Sequence, residues 1–347
     1  MQEIKNNLKE LCLSVGVVGL ENIASQKAAE ILKQYTDDVT IDYFGNVIGM
    51  IKSKKENAKT LLLDAHIDEI GMIVTSIDDK GFVKVASCGG MDRRLLAAQE
   101  VTIHGTNKDI IGIVGSKPPH LEKGEEATQV PEVDSIFIDI GYTKEQAEQY
   151  IALGDRVTIN STFQEMLNNR VSVKAMDDRS GVVSILEALR LLKGKELDVN
   201  LAILFSSQEE VGGTGARVGS YGISPDYAIA IDVSFAYTSD ADEHKCGKMG
   251  KGVMIGVSAL LDKKMSDDLV AIAKEKEINH QIEVITGRST GTNADSILIT
   301  KGGVKTAVLS IPEKYMHTPI EMVEVGDIEA VAQLIAEYAQ KVGELDV

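Results

Sequence analysis

Tryptophan is missing from this chain of 347 residues, and only 4% of its residues are aromatic. That leaves little material for a surface on which single-stranded nucleic acid or sugars could stack. Basic residues are also scarce, with 36 lysines and arginines against 53 aspartates and glutamates and a formal net charge of −17. Nucleic-acid binding neutralises phosphates with basic patches, so this balance argues against such a partner. It favours solubility and leaves the substrate open. Cysteine occurs only at Cys12, Cys88 and Cys246, without a C-x-x-C pair. Neither a disulfide framework nor a thiolate zinc site is suggested, and a reducing cytoplasm fits. No stretch approaches the roughly 20 apolar residues of a membrane span. The opening residues, Met1-Gln2-Glu3-Ile4-Lys5-Asn6-Asn7-Leu8, lack the apolar core of a signal peptide. The expectation is a cytoplasmic protein with no membrane partner.

What is present is a chain long enough for one large domain or two ordinary ones. Apolar residues at helical spacing (Ile4, Leu8 and Leu11, then Ile23, Ala28, Ile31 and Leu32) predict helices over 3–14 and 22–35. Strands are expected over 39–43, 47–52 and 60–65. From about Ile70 to Phe163 the texture changes to short strands separated by glycines, interrupted by one helical pattern over 143–153. That predicts a small β-rich module, with a long polar loop from Ser116 through Pro131. After Phe163 helix and strand alternate again, ending in an amphipathic helix over 327–342. Alternation of this kind predicts an α/β fold with a mixed, largely parallel sheet flanked by helices. The domain expectation is one discontinuous unit, residues 1–69 and 164–347, with residues 70–163 inserted.

Three predicted strands finish in metal-type ligands. The 60–65 strand runs into His66-Ile67-Asp68. The apolar run Leu201-Ala202-Ile203-Leu204-Phe205 leads into Ser206-Ser207-Gln208-Glu209-Glu210, and the 227–231 strand ends at Asp232. Sites in open α/β sheets lie beyond the carboxyl ends of strands, so distant residues can converge there. Two adjacent acids after a buried run call for a compensator: a metal, a cation or a raised pKa. One glutamate binding a metal while its neighbour moves a proton would answer this; a solvated strand-to-loop junction is the plainer alternative. Asp177 sits where a helix begins, where a carboxylate also caps free N–H groups. His317 lies in the loop Tyr315-Met316-His317-Thr318-Pro319. Asp68, two residues from His66, can hold the second imidazole nitrogen while the first binds metal. Two histidines, three carboxylates and a further glutamate suit two metals sharing a bridging carboxylate better than one tetrahedral zinc. Nitrogen and oxygen donors without thiolates suit zinc, cobalt or manganese.

The chain resembles the glutamyl and tetrahedral aminopeptidases, a family of cocatalytic dimetal peptidases, over nearly its whole length. The residues that carry the resemblance are Asp64-Ala65-His66-Ile67-Asp68-Glu69-Ile70-Gly71, Asp177-Asp178-Arg179-Ser180-Gly181, Gln208-Glu209-Glu210-Val211-Gly212, Ile231-Asp232-Val233 and Tyr315-Met316-His317-Thr318-Pro319-Ile320-Glu321, with Gly115-Ser116-Lys117-Pro118-Pro119-His120. The resemblance implies a phosphorylase/hydrolase-like zinc-peptidase fold. It implies that Asp177 bridges two divalent metal ions, that His66 and Asp232 complete one site and Glu210 with His317 the other. Glu209 would be the general base and Asp68 the partner of His66. It also implies peptide substrates, a dimerising inserted module, and homo-oligomers in which dimers assemble into tetrahedral dodecamers. The sequence departs from the family pattern at Asn293, where aspartate is common, and at Lys305 and Lys314.

The same ligands would serve a related deacylase or carboxypeptidase. A glycosidase, which needs two opposed carboxyls, and a non-catalytic peptide-binding assembly are further rivals. Other polar residues read as structural or solvated: His104 on a strand, His280 at the end of a helix, and Asp240, Asp242, Glu243 and His244 in an acidic loop lacking the EF-hand pattern.

Overall fold

In the computed structural model, which describes residues 1–121 and 129–343, two helices open the chain. They are α1 (Gln2–Cys12) and α2 (Asn22–Leu32). Strands β1 (Val39–Ile41), β2 (Val47–Ile51) and β3 (Thr60–His66) follow. Next come β4 (Gly71–Ile77), β5 (Val83–Cys88), β6 (Glu100–His104), β7 (Asp109–Val114), β8 (Ile138–Asp139), α3 (Lys144–Ala147) and β9 (Arg156–Ile159). The chain continues through β10 (Gln164–Glu165), β11 (Arg170–Ser172), α4 (Met176–Leu192), β12 (Asn200–Ser206), α5 (Thr214–Ile223) and β13 (Tyr227–Phe235). It closes with β14 (Val253–Val257), α6 (Lys263–Glu275), β15 (His280–Val284), α7 (Ala294–Ile297), β16 (Lys305–Glu313), β17 (Met322–Glu324) and α8 (Val325–Lys341).

The main sheet has the order β1-β2-β12-β3-β13-β16-β14-β15. Its centre, β12, β3, β13 and β16, is parallel, while β2 pairs with β12 and β14 with β16 in the antiparallel sense. Parallel strands covered on both faces read as continuous apolar runs. Leu61, Leu62 and Leu63 of β3 and Leu201 to Phe205 of β12 are accordingly all buried. One face packs on α1, α2, α4, α6 and α8, whose apolar stripes join the largest core cluster. The other face carries a smaller cluster under α5 and α7. Each fully buried Leu, Ile or Val contributes about 1.5–3 kcal/mol.

Strands β4-β5-β8-β7-β6-β9 close into a barrel with its own core of Met72, Val85, Val101, Ile103, Ile138 and Val157, among others. Burial alternates along β7, with Ile110, Gly112 and Val114 inside and Ile111 and Ile113 outside, as a barrel requires. Its first and last strands pair, Met72 opposite Val157, so the chain enters and leaves at one place. In the polar loop after Ser116, residues 122–128 lie outside the described residues.

Several boundaries differ from the sequence reading. The strand expected to stop at Asp232 runs to Phe235, because β13 pairs with β16 as far as Phe235 opposite Glu313. The helix expected over 143–153 is one turn, α3, capped by Thr143 and Gln146. His280 opens β15 rather than ending a helix. Strand β14 and the small sheet β10-β11-β17 are additional.

Candidate metal centre

The site is assembled at the carboxyl ends of the central strands. His66 ends β3 and is buried. Its Nδ1 lies 3.2 Å from the carbonyl oxygen of Asp68 and 3.6 Å from that residue's carboxylate. The nearer partner is therefore main chain, and Nε2 is left facing inward. The Asp68 carboxylate has a second role that sequence spacing did not indicate. It accepts the N–H groups of Glu209 and Glu210, each at 3.1 Å. Asp68 thus shapes the turn after β12 that carries both glutamates.

Asp177 stands at the start of α4 without helical torsions, following Ala175 in a left-handed conformation. Freed from the helix, its carboxylate does not cap. The cap is made by Asp178, whose Oδ1 accepts from Gly181 N at 3.1 Å. Arg179, fully buried, fixes this junction. It donates to the carbonyls of Leu11 and Ser14 at 2.6 Å, to that of Ile67 at 3.1 Å, and to Glu69 at 3.3 Å.

Asp177 Oδ1 lies 3.0 Å from His66 Nε2, and Oδ2 lies 3.3 Å from His317 Nε2. His317 Nε2 is also 3.4 Å from Glu210 Oε1. The structure brings His66, Asp177 and Asp232 together, with one donor atom of each within 4.8 Å of the others, and does the same for Asp177, Glu210 and His317. Glu321 was not singled out from sequence. It is buried and ties the two groups together, accepting from His317 N at 2.9 Å and from Asp177 N at 3.2 Å. The pairing of β11 with β17 sets the 173–177 segment beside the His317–Glu321 loop. No periodic signal reports such a contact; the proximity of Glu321 to His317 in one loop is its only trace. The barrel contributes a wall. A Cβ on Gly90 would sit 3.1 Å from His317 Nδ1, and one on Gly89 would sit 3.2 Å from Glu210.

Charge is unevenly distributed here. Burial raises the carboxyls of Asp178, Asp232, Glu313 and Glu321 well above the usual range. Burial, with Glu210 and Asp177 nearby, pushes Glu209 up to about 7, although His66 opposes the shift. Burial would lower the imidazoles, but carboxylates override it. Asp177 and Asp68 raise His66 far above its ordinary value, and Asp177 and Glu210 raise His317 to about 11. Burial would also raise Asp177, yet His317 and His66 hold it well below the carboxylate range. Asp178 Oδ2 and both oxygens of Glu313 are buried without a hydrogen-bond partner. More acid is buried here than the two imidazoles can balance, and divalent cations would relieve that excess. The donors are imidazole nitrogens and carboxylate oxygens, which fit zinc, cobalt or manganese.

The remaining polar residues sit apart. His104 bridges Asp109 at 3.0 Å and Thr158 at 2.9 Å inside the barrel wall. In the acidic loop Asp242 accepts from His244 N, and Glu243 pairs with Lys248. His120 is exposed.

Residues 45–334 match the family model described as M42 glutamyl aminopeptidase. A lysyl aminopeptidase of Pyrococcus furiosus is 33% identical, over 98% of this chain and 97% of its own. Among solved structures, an aminopeptidase from the archaeon Desulfurococcus kamchatkensis superposes with a TM-score of 0.91 at 34% identity, covering 98% of this chain and 95% of its own. The TET1 peptidase of Pyrococcus horikoshii, which can assemble into a tetrahedron or a large octahedral shell, gives 0.85 at 32% identity, covering 97% and 99%. These matches support an aminopeptidase over the deacylase, carboxypeptidase, glycosidase and non-catalytic readings.

Proposed function

Since this chain belongs to the M42 glutamyl aminopeptidase family and is a metal-dependent aminopeptidase, we propose that it removes the N-terminal residue of short peptides with two divalent cations and a glutamate base. His66, Asp177 and Asp232 would hold one cation, and Asp177, Glu210 and His317 the other. When bound, such a pair supplies Lewis acidity, lowering the pKa of water and neutralising charge that develops on the scissile carbonyl. The observation that carries this reading is the orientation of Asp177, whose two oxygens face two different imidazoles.

The chain's own groups supply the rest. Glu209 is fixed beside Glu210 by their shared contact to Asp68 and belongs to neither ligand group. Its carboxylate is free to take the proton of the attacking water and return it to the leaving amine. Asp68 orients the His66 ring through its main-chain carbonyl, leaving Nε2 directed at the site. The buried carboxylates around the centre favour a substrate with a free, charged α-amine.

The reading extends to assembly and location. The outward face of the barrel exposes Ile111, Ile113 and Phe137, an apolar patch suited to pairing with a second copy. Together with the shells formed by the Pyrococcus horikoshii relative, it supports dimers that build a tetrahedral dodecamer. Free Cys12, Cys88 and Cys246 suit the cytoplasm. No helix among the described residues is long and apolar enough to cross a membrane.

Glu209→Gln is the direct test. Metal content by elemental analysis should stay unchanged while turnover of an aminoacyl substrate falls by about 100-fold or more. A variant with ordinary turnover would remove Glu209 from the mechanism. N-acetylated peptides should resist cleavage by the wild type.

A further inference from the structure

Glu283 lies in β15, the outermost strand of the main sheet. Opposite it on β14 stands Gly256, where a Cβ would press to 3.1 Å from Val308 and 3.2 Å from Ile285. With no side chain in its way, the Glu283 carboxylate reaches over β14 to the next two strands. Ser310 Oγ of β16 donates to Oε2 at 2.6 Å, and Ser234 Oγ of β13 donates to Oε1 at 2.5 Å. Both serines are neighbours of Asp232. Ser310 is its partner in the β13–β16 ladder, and Ser234 follows it by two residues on the same face of β13. Strands are about 4.8 Å apart, and two residues along a strand span about 6.6 Å, which puts the Glu283 carboxylate within about 10 Å of Asp232.

A carboxylate offers about four acceptor positions. The two serine hydroxyls take one on each oxygen, and they are the only side-chain partners of this carboxylate among the described residues. Ser310 is buried beneath it, whereas Glu283 and Ser234 are half-buried, so the remaining positions open outward. An amide would clamp the strands equally well. Held by two hydroxyls and open on its outer side, the carboxylate is a positioned acceptor for a cation. An ammonium or guanidinium on a long flexible stem fits that description.

We propose that Glu283 is a specificity-determining residue that receives the cationic side chain of an N-terminal lysine or arginine. The assignment rests on the aminopeptidase reading of the neighbouring centre and adds the substrate class to it. The α-amine and scissile bond would sit over the ligands around Asp232, and the side chain would extend along β13 toward Ser234.

The test uses the metal-loaded enzyme and a pair of substrates differing in charge, lysyl and norleucyl anilides, with free lysine and norleucine as competitive inhibitors. The wild type should favour lysyl over norleucyl by about tenfold or more in kcat/KM, with a matching order of inhibition constants. Glu283→Gln should erase that preference chiefly through KM for the lysyl substrate, leave the norleucyl substrate within about twofold, and be restored in part by Glu283→Asp. A wild type with no preference between the two inhibitors would overturn the assignment without any variant. Equal loss on both substrates in Glu283→Gln would overturn it, because the removed charge would then not discriminate between the two side chains. Failure of the wild type to cleave either substrate would sink the aminopeptidase reading along with it, whereas cleavage of both without preference would sink this assignment alone.

Discussion

Asp177 is the residue on which the centre turns. Its oxygens separate His66 from His317, and Glu321 holds its N–H and that of His317 from behind. The same arrangement sets the pH behaviour of metal uptake. Without cations both imidazoles are held protonated by Asp177 and its neighbours through neutral pH. A ligating histidine must be neutral, so uptake has to expel those protons. The sign follows: affinity falls as pH falls, because protons compete for the ring nitrogens, and it rises as pH rises. Titration calorimetry in buffers of different ionisation enthalpy at pH 7 should register release of about one proton for each histidine ligand. Uptake with no proton release would show that the imidazoles are not the donors. These residues were legible in the sequence because His66 and Asp177 fall at a strand end and a helix start, Glu210 and His317 in the turns that follow strands, and Asp232 at the close of an apolar run, the region where chemistry-bearing side chains in α/β sheets collect. Glu321 and the second role of Asp68 were not, since both arise from contacts between segments that meet only when β11 pairs with β17 and the 207–213 turn folds under β3.

At the level of elements, the start of α4 is the joint that aims Asp177, and Arg179 locks it to α1 and to Ile67. Gly16 makes room for that guanidinium, and a Cβ there would stand 2.2 Å from Arg179 Nη2. Gly16→Ala should therefore lower stability by about 1–3 kcal/mol through overpacking. Gly222→Ala, in α5 with nothing within 4 Å, should be neutral or gain up to about 1 kcal/mol from helix propensity. Urea unfolding of the two variants checks both, and equal effects would refute the packing argument. The central strands and long helices were readable because β3, β12 and β13 are apolar runs and α4 and α8 repeat at helical spacing. The rest was hidden for physical reasons. Strand β14 follows glycine-rich Lys248 to Gly252 and is only five residues long. Asp232 looked like an end because a buried acid interrupts the apolar run, while the ladder to β16 continues beneath it.

Across the whole molecule, the barrel is joined to the α/β unit at one point and holds a separate core. Yet it is not a passive appendage. Arg156 donates to Val18 O at 2.7 Å, Asp92 N reaches His317 O at 3.5 Å, and Gly89 and Gly90 close over Glu210 and His317. Both properties can be tested in one variant in which residues 71–159 are replaced by a short glycine-serine linker. Because β4 and β9 are paired neighbours, a gap of only about 5 Å has to be bridged. The α/β unit should then unfold cooperatively and bind metal, since every proposed ligand lies outside the excised segment. It should sediment as a monomer, because the exposed Ile111, Ile113 and Phe137 are gone. Turnover should fall even with metal bound, because the wall over His317 has been removed. Loss of cooperative unfolding would show that the two parts fold as one. A variant that still formed large assemblies would move the assembly surface from the barrel to the α/β unit.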